Sequence, residues 1–328
     1  MTIREALKEA PMEENQAPAQ KPVISISNLV KYYGKKVGVD RIDLEVMSGD
    51  IFGFLGPNGA GKTTAINLML DIIRPDSGTV RVFGQDARRF GKKLRSRIGF
   101  IPGEMGFYEN MKGWEYLRFF AGLRRVKCDD RIRELARFFF NVDLDRKVGA
   151  YSRGMKQLLG IIQAFMASPE LYILDEPTAN LDPLMTQRFY ELIHQENSRG
   201  KTIFLSSHML GEVERVCRKV CIIRDGKIAA NDTVENIRRQ MKRYIQFSTL
   251  EPVTVEELKI EGVSRVTREG NRFKLEITGD LGPVFSRLST MSIENFDYRK
   301  MRLEEIFWEY FSKEDINGNG ESQSPDTA

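Results

Sequence analysis

Nine consecutive residues restrict this chain more than any others: Gly56-Pro57-Asn58-Gly59-Ala60-Gly61-Lys62-Thr63-Thr64. They fit G-x-x-x-x-G-K-[ST], a pattern that needs a buried strand to deliver it and a helix to receive it. Both neighbours are present. Ile51-Phe52-Gly53-Phe54-Leu55 is an apolar run of strand length, and Thr64 to Leu70 has the make-up of a helix. Glycines let backbone N–H groups turn inward on an anion, and the helix dipole adds to the attraction. Lys62 is placed to reach the β- and γ-phosphates of a nucleotide, and the Thr63 hydroxyl to ligate Mg²⁺. A plain glycine turn before a helix explains the spacing less well than this strand–loop–helix context.

At 328 residues the chain is long enough for about two domains. A hydrophobic share of 41% and a charged share of 29% describe an ordinary soluble protein. The formal charge of +4 is too small to demand a nucleic-acid partner. Cys128, Cys217 and Cys221 make neither a disulfide framework nor a metal-ligand cluster, and are expected to be reduced core thiols of a cytosolic protein. Residues 1–22 lack apolar periodicity and are expected to form a disordered leader, with no signal pattern. No run approaches the ~20 apolar residues of a membrane helix.

From Val23 the pattern turns to strand-like runs: Val23–Ser27, Val37–Val46 broken at Asp40, then Ile51–Leu55. Tyr32 and Tyr33 precede the glycine loop; by spacing alone they read as packing residues, with stacking on a purine as the alternative. Thr79–Phe83 and Ile98–Ile101 are further strands. Between Arg81 and Arg97 stand seven basic residues against one acid, Asp86. A solvated face accounts for this, with attraction to anionic lipid or nucleic acid as the alternative. Residues 109–167 are helical in pattern and include Tyr151-Ser152-Arg153-Gly154-Met155-Lys156-Gln157, where Ser152 caps a long apolar helix whose N-terminus favours an anion.

Leu171-Tyr172-Ile173-Leu174-Asp175-Glu176-Pro177 is an apolar strand ending in two acids, Asp175-Glu176. Carboxylates at the C-terminal end of a buried strand suit the place where parallel sheets bind ligands. Asp175 would hold Mg²⁺ through its hydration shell, and Glu176 would orient an attacking water. Ile203-Phe204-Leu205-Ser206-Ser207-His208 repeats the form, an apolar strand and then a polar tip, while His194 falls on the exposed side of a helix over Thr186–Asn197. Val220–Ile223 and Lys227–Ala230 flank an Asp225-Gly226 turn. Residues 231–242 read as a linking helix and residues 243–312 as a small α+β unit. That unit has strands at Tyr244–Ser248, Val263–Thr267, Phe273–Thr278 and Ile293–Tyr298, and helices at Val284–Thr290 and Leu303–Phe311. The remainder, 313–328, reads as a disordered acidic tail.

Together these residues resemble the nucleotide-binding subunit of ATP-binding cassette (ABC) transporters, over roughly Val23 to Ala230. The match is closest to exporters of drugs, antibiotics or polysaccharides whose permease is a separate polypeptide. Several motifs stand in the family's order: the phosphate loop at 56–64, the signature at 151–157, Asp175-Glu176, the Ala179-Asn180-Leu181-Asp182 loop and His208. The resemblance implies an α/β fold: a P-loop ABC ATPase core (RecA-like mixed sheet, antiparallel β subdomain, helical subdomain over about 104–167) with a small C-terminal α+β domain. It puts the adenine-stacking aromatic on Tyr33. Ser152 and Gly154 fall on the γ-phosphate held by an opposite subunit, His208 on the γ-phosphate in cis, and Asp182 on the alignment of the two halves.

Two positions depart from the family's pattern. Gly103 stands where a glutamine usually senses Mg²⁺, leaving Glu104 as the candidate to take over through water, with looser coupling as the alternative. The signature reads Ser-Arg-Gly, so Arg153 adds a cation. The implied cofactors are ATP and Mg²⁺. The implied partners are an integral-membrane permease, gripped near Phe107 and Tyr108, with ordinary core aromatics as the alternative for those two, and a second nucleotide-binding subunit, identical or not. The implied place is the inner face of the cell membrane. A soluble ABC ATPase acting on ribosomes or DNA would be expected to carry two cassettes or a long coiled-coil insertion, and this chain has neither. A module with a dead ATP site is opposed by intact Lys62, Asp175, Glu176 and His208.

Overall fold

The computed structural model describes residues 21–239 and 243–300. Two long strands open it, β1 (Pro22–Tyr33) and β2 (Lys36–Met47), paired antiparallel. The break expected at Asp40 is a bulge and not an end. The register slips on either side of Leu29↔Ile42, and Arg41 takes φ 52°. Asp40 is satisfied within the strand, its N–H donating to Gly226 O at 2.8 Å and its carboxylate accepting from Tyr32 OH at 3.0 Å. Next come β3 (Ile51–Leu55), α1 (Lys62–Met69), β4 (Ser77–Val82), β5 (Gln85–Asp86), α2 (Ala87–Arg95) and β6 (Ile98–Ile101).

The helical stretch resolves into α3 (Gly113–Arg124), α4 (Asp129–Phe138) and α5 (Arg153–Phe165), followed by β7 (Leu171–Asp175), α6 (Pro183–Ser198) and β8 (Thr202–Ser207). Then follow α7 (Leu210–Val216), β9 (Lys219–Arg224), β10 (Lys227–Thr233) and α8 (Val234–Arg239). The linking helix expected over 231–242 is therefore corrected at its start. Asn231, Asp232 and Thr233 remain strand because they pair with Cys221, Val220 and Lys219. A neighbouring strand that accepts backbone hydrogen bonds outweighs the poor strand propensity of Asn and Asp.

The central sheet has the order β10-β9-β3-β8-β7-β6, parallel except at β10. Its inner strands are buried on both sides, as parallel strands between covering layers must be. β3, β7 and β8 are buried at every position. Alternation sorts their side chains: Phe52, Phe54, Ile173 and Phe204 pack toward α1 and the outer sheet β2-β1-β4-β5. Leu55, Leu174, Ile203 and Leu205 pack toward the helical layer of α3 to α7. Phe52 and Phe204 stack with ring centroids 5.8 Å apart.

Residues 243–300 form a separate antiparallel sheet from β11 (Arg243–Thr249), β12 (Val263–Glu269), β13 (Arg272–Ile277) and β14 (Ile293–Lys300), in the order β12-β13-β11-β14. Helix α9 (Gly282–Leu288) supplies Val284 and Leu288 to a core with Ile245, Phe247, Phe273 and Leu275. The leader up to residue 20, the helix Leu303–Phe311 and the tail 313–328 lie outside the described residues. All three cysteines are buried and unpaired, and burial pushes each thiol pKa up, which keeps them as inert core groups.

Candidate active site

The strand order builds the site. β3, β8 and β7 are neighbours, so the loop after Leu55, His208 after Ser207 and Glu176 after Asp175 emerge side by side. Gly56 N–H donates to Ser207 O at 3.2 Å, continuing the ladder one residue past β3. The loop then turns through Pro57, Asn58 and Gly59, with Ala60 packed inward. Gly61 caps α1 at φ 109°, and a Cβ there would come 2.2 Å from Gly38 O. Only glycine fits that position.

Lys62 is buried, 6% exposed. Its Nζ donates to Gly56 O at 2.7 Å and to Pro57 O at 3.2 Å, and lies 3.2 Å from Glu176 Oε1. The other carboxylate oxygen of Glu176 is 2.6 Å from His208 Nδ1. Glu176 itself sits at φ 49°, a left-handed conformation uncommon for residues other than glycine, asparagine and aspartate, and such outliers gather at functional sites. Beside it the Thr63 hydroxyl donates to Asp175 Oδ2 at 2.8 Å, and the Ser206 hydroxyl donates to Asp175 Oδ1. Asp175 is 1% exposed and therefore depends on these donors. Ser206 is the partner that sequence missed. Its signal was the polar tip of an otherwise apolar strand.

A cleft of about 310 Å³ opens over this cluster. Pro57, Asn58, Gly59, Lys62, Thr63, Thr64 and Glu176 line it together with Tyr33, Lys36 and Gly38. Tyr33 is half exposed, with Lys31 Nζ 5.8 Å from its ring centre. Lys36 and Gly38, in the first residues of β2, carried no motif that sequence could have used.

Ser152, Gly154 and Asp182 line a different recess, of about 370 Å³, together with Phe140 and Asn180. Ser152 Oγ accepts from Met155 N at 3.2 Å and Asp182 Oδ1 from Met185 N at 2.8 Å, so the capped N-termini of α5 and α6 both border it. A Cβ on Gly154 would sit 2.9 Å from Asn180 O. The Gln157 amide donates to Pro177 O at 2.7 Å, tying α5 to the segment after Glu176. Glu104 is exposed, and no hydrogen bond or ion pair joins it to the cluster among the described residues. Gly103 is the nearer position: a Cβ there would lie 3.2 Å from Asp175 Oδ2. His194 is exposed on α6.

A family model described as ABC transporter matches residues 39–179, which hold the glycine loop and the Asp175-Glu176 pair. A bacitracin transport ATP-binding protein (BcrA) of Bacillus licheniformis is 38% identical over 69% of this chain and 74% of its own length. The chain belongs to the ABC transporter family. Nod factor export ATP-binding protein I of Paraburkholderia xenovorans is 32% identical over 87% of this chain and 95% of its own. A solved ATP-binding subunit of an ABC transporter superposes with a TM-score of 0.63 at 30% identity, covering 66% of this chain and 92% of that one. The protein is thus an ATP-binding subunit of an ABC transporter, of a family that couples ATP hydrolysis to transport and pairs such subunits with membrane permease components. Among the described residues no helix is long and apolar enough to cross a membrane.

Proposed function

We propose that this ABC subunit is a Mg²⁺-dependent ATPase that powers export through a separate permease, from the inner face of the membrane, by closing on a second nucleotide-binding subunit. The placement of Glu176 between Lys62 and His208, at the tip of a buried strand, carries this reading. Lys62 exchanges its contacts with Gly56 O, Pro57 O and Glu176 for the β- and γ-phosphate oxygens of ATP, which frees the Glu176 carboxylate. Glu176 then orients a water in line with the γ-phosphorus. Lys62, the loop amides and His208 offset the charge on the phosphoryl oxygens. Tyr33, a half-exposed ring in the lining of the cleft, stacks on the adenine ring.

Thr63 Oγ1 and Asp175 Oδ2, two hard oxygens 2.8 Å apart beside the phosphate loop, fit Mg²⁺ and would hold it, Asp175 partly through water. When bound, the metal supplies charge neutralisation on the β- and γ-phosphates. Glu104 remains a candidate contact through water. Ser152, Gly154 and Asp182 line a recess apart from the cleft, which suits a second subunit whose nucleotide they would meet. Tyr108 is 54% exposed, and its ring packs edge-on to Phe119 at 5.5 Å, an aromatic surface suited to a permease segment. Export is favoured because relatives are named for bacitracin transport and Nod factor export.

The test is Glu176→Gln. It should bind ATP with wild-type affinity by calorimetry and lose turnover by ~100-fold or more, because the amide cannot polarise the water. Hydrolysis near the wild-type rate would overturn the assignment.

A further inference from the structure

Glu212 has no part in the site as described, yet it grips both segments that carry it. It lies in the first turn of α7, and its two carboxylate oxygens accept from hydroxyls on two segments, one in the loop after β7 and one at the end of β8. Thr178 Oγ1 donates to Oε1 at 2.6 Å, and Ser207 Oγ donates to Oε2 at 2.7 Å. Thr178 is two residues past Glu176; Ser207 immediately precedes His208. The Ser207 hydroxyl in turn accepts from Met209 N at 2.9 Å, closing the turn on which His208 stands.

The hydroxyl has a second acceptor within reach, Met209 O at 3.3 Å. With one proton it can serve only one of them fully, and hydrogen bonds to a carboxylate are the stronger kind. Glu212 therefore fixes which way Ser207 turns, and with it the turn under His208. Through Thr178 the same carboxylate holds the segment after Glu176. The contact of Glu176 with His208 at 2.6 Å is thus one side of a ring whose opposite side is Glu212.

We propose that Glu212 is a positioning residue for hydrolysis, setting the distance between Glu176 and His208 while touching neither ATP nor water. This rests on the roles given above to Glu176 and His208. Misplacing a reacting group by about 1 Å costs on the order of a hundredfold in rate, so Glu212→Ala in the full chain should lower kcat by about 30- to 100-fold. ATP affinity by calorimetry should stay within about threefold, because the phosphate loop is untouched. Glu212→Gln should recover to within about fivefold of wild type, since an amide can accept from one hydroxyl and donate to the other. Thr178→Val, near in volume and lacking only the donor, should slow turnover in the same direction, and it carries the test if Glu212→Ala does not fold.

A merely structural role would lower the melting temperature and leave kcat per folded molecule unchanged, and that result overturns the proposal. So does a loss of ATP affinity parallel to the loss of rate, or a Glu212→Gln variant as slow as Glu212→Ala. Glu176→Gln separates the two levels. If it still turns over, the site assignment falls; if it is dead while Glu212→Ala runs at the wild-type rate, only the bridge falls.

Discussion

Lys62 illustrates how a single residue couples folding to chemistry. A buried ammonium must be paired or hydrogen-bonded, and here two loop carbonyls and the Glu176 carboxylate meet that need. Those partners are weaker competitors for the ammonium than a triphosphate. Lys62→Ala removes one charge-assisted contact from the phosphates, worth roughly 1.5–3 kcal/mol, so ATP binding should weaken about 10- to 150-fold. Calorimetric titration with ATP checks this, and unchanged affinity would contradict the role. Glu176, Thr63 and Asp175 were legible from sequence because acids at a strand's end and a hydroxyl after Lys62 are chemically unusual there. Ser206 and Lys36 were less so: a serine in the polar tip of a strand and a lysine opening β2 are ordinary residues until the sheet places them at the site.

At the scale of elements, apolar runs located two strands of the central sheet to the residue. β3 and β6 span the expected 51–55 and 98–101 because every position in such a strand must be apolar or small. Shorter or more polar elements were less legible. α7 has seven residues, too few for two turns of periodicity, and the end of β10 is Asn-Asp-Thr. The packing of α5 against the central sheet offers a stability test. Leu159 is fully buried in the helical-side core, and Leu159→Ala should cost about 2–5 kcal/mol through lost burial and a residual cavity. Leu184 on α6 is 55% exposed, so Leu184→Ala should stay within about 0.5 kcal/mol. Denaturant midpoints of the two variants measure the difference, and equal midpoints would contradict the layer assignment.

For the molecule as a whole, what sequence could not supply was strand order. Residues 62, 176 and 208 are far apart in the chain and meet only because β3, β8 and β7 are neighbours. The same topology leaves the recess of Ser152, Gly154 and Asp182 apart from the cleft over Lys62. Contacts that exist only in a closed pair shift the population toward it, by no more than their differential free energy. ATP that binds and is not hydrolysed should therefore hold two chains together. Glu176→Gln with ATP and Mg²⁺ should sediment as a dimer, and wild type under turnover should be largely monomeric. Adding Ser152→Ala, which removes the hydroxyl, with Gly154→Val, which sets a side chain against Asn180 O, should return the trapped variant to monomer without weakening ATP binding to the cleft. A double-signature variant that still dimerises on ATP would show that the recess is not where the second nucleotide lies.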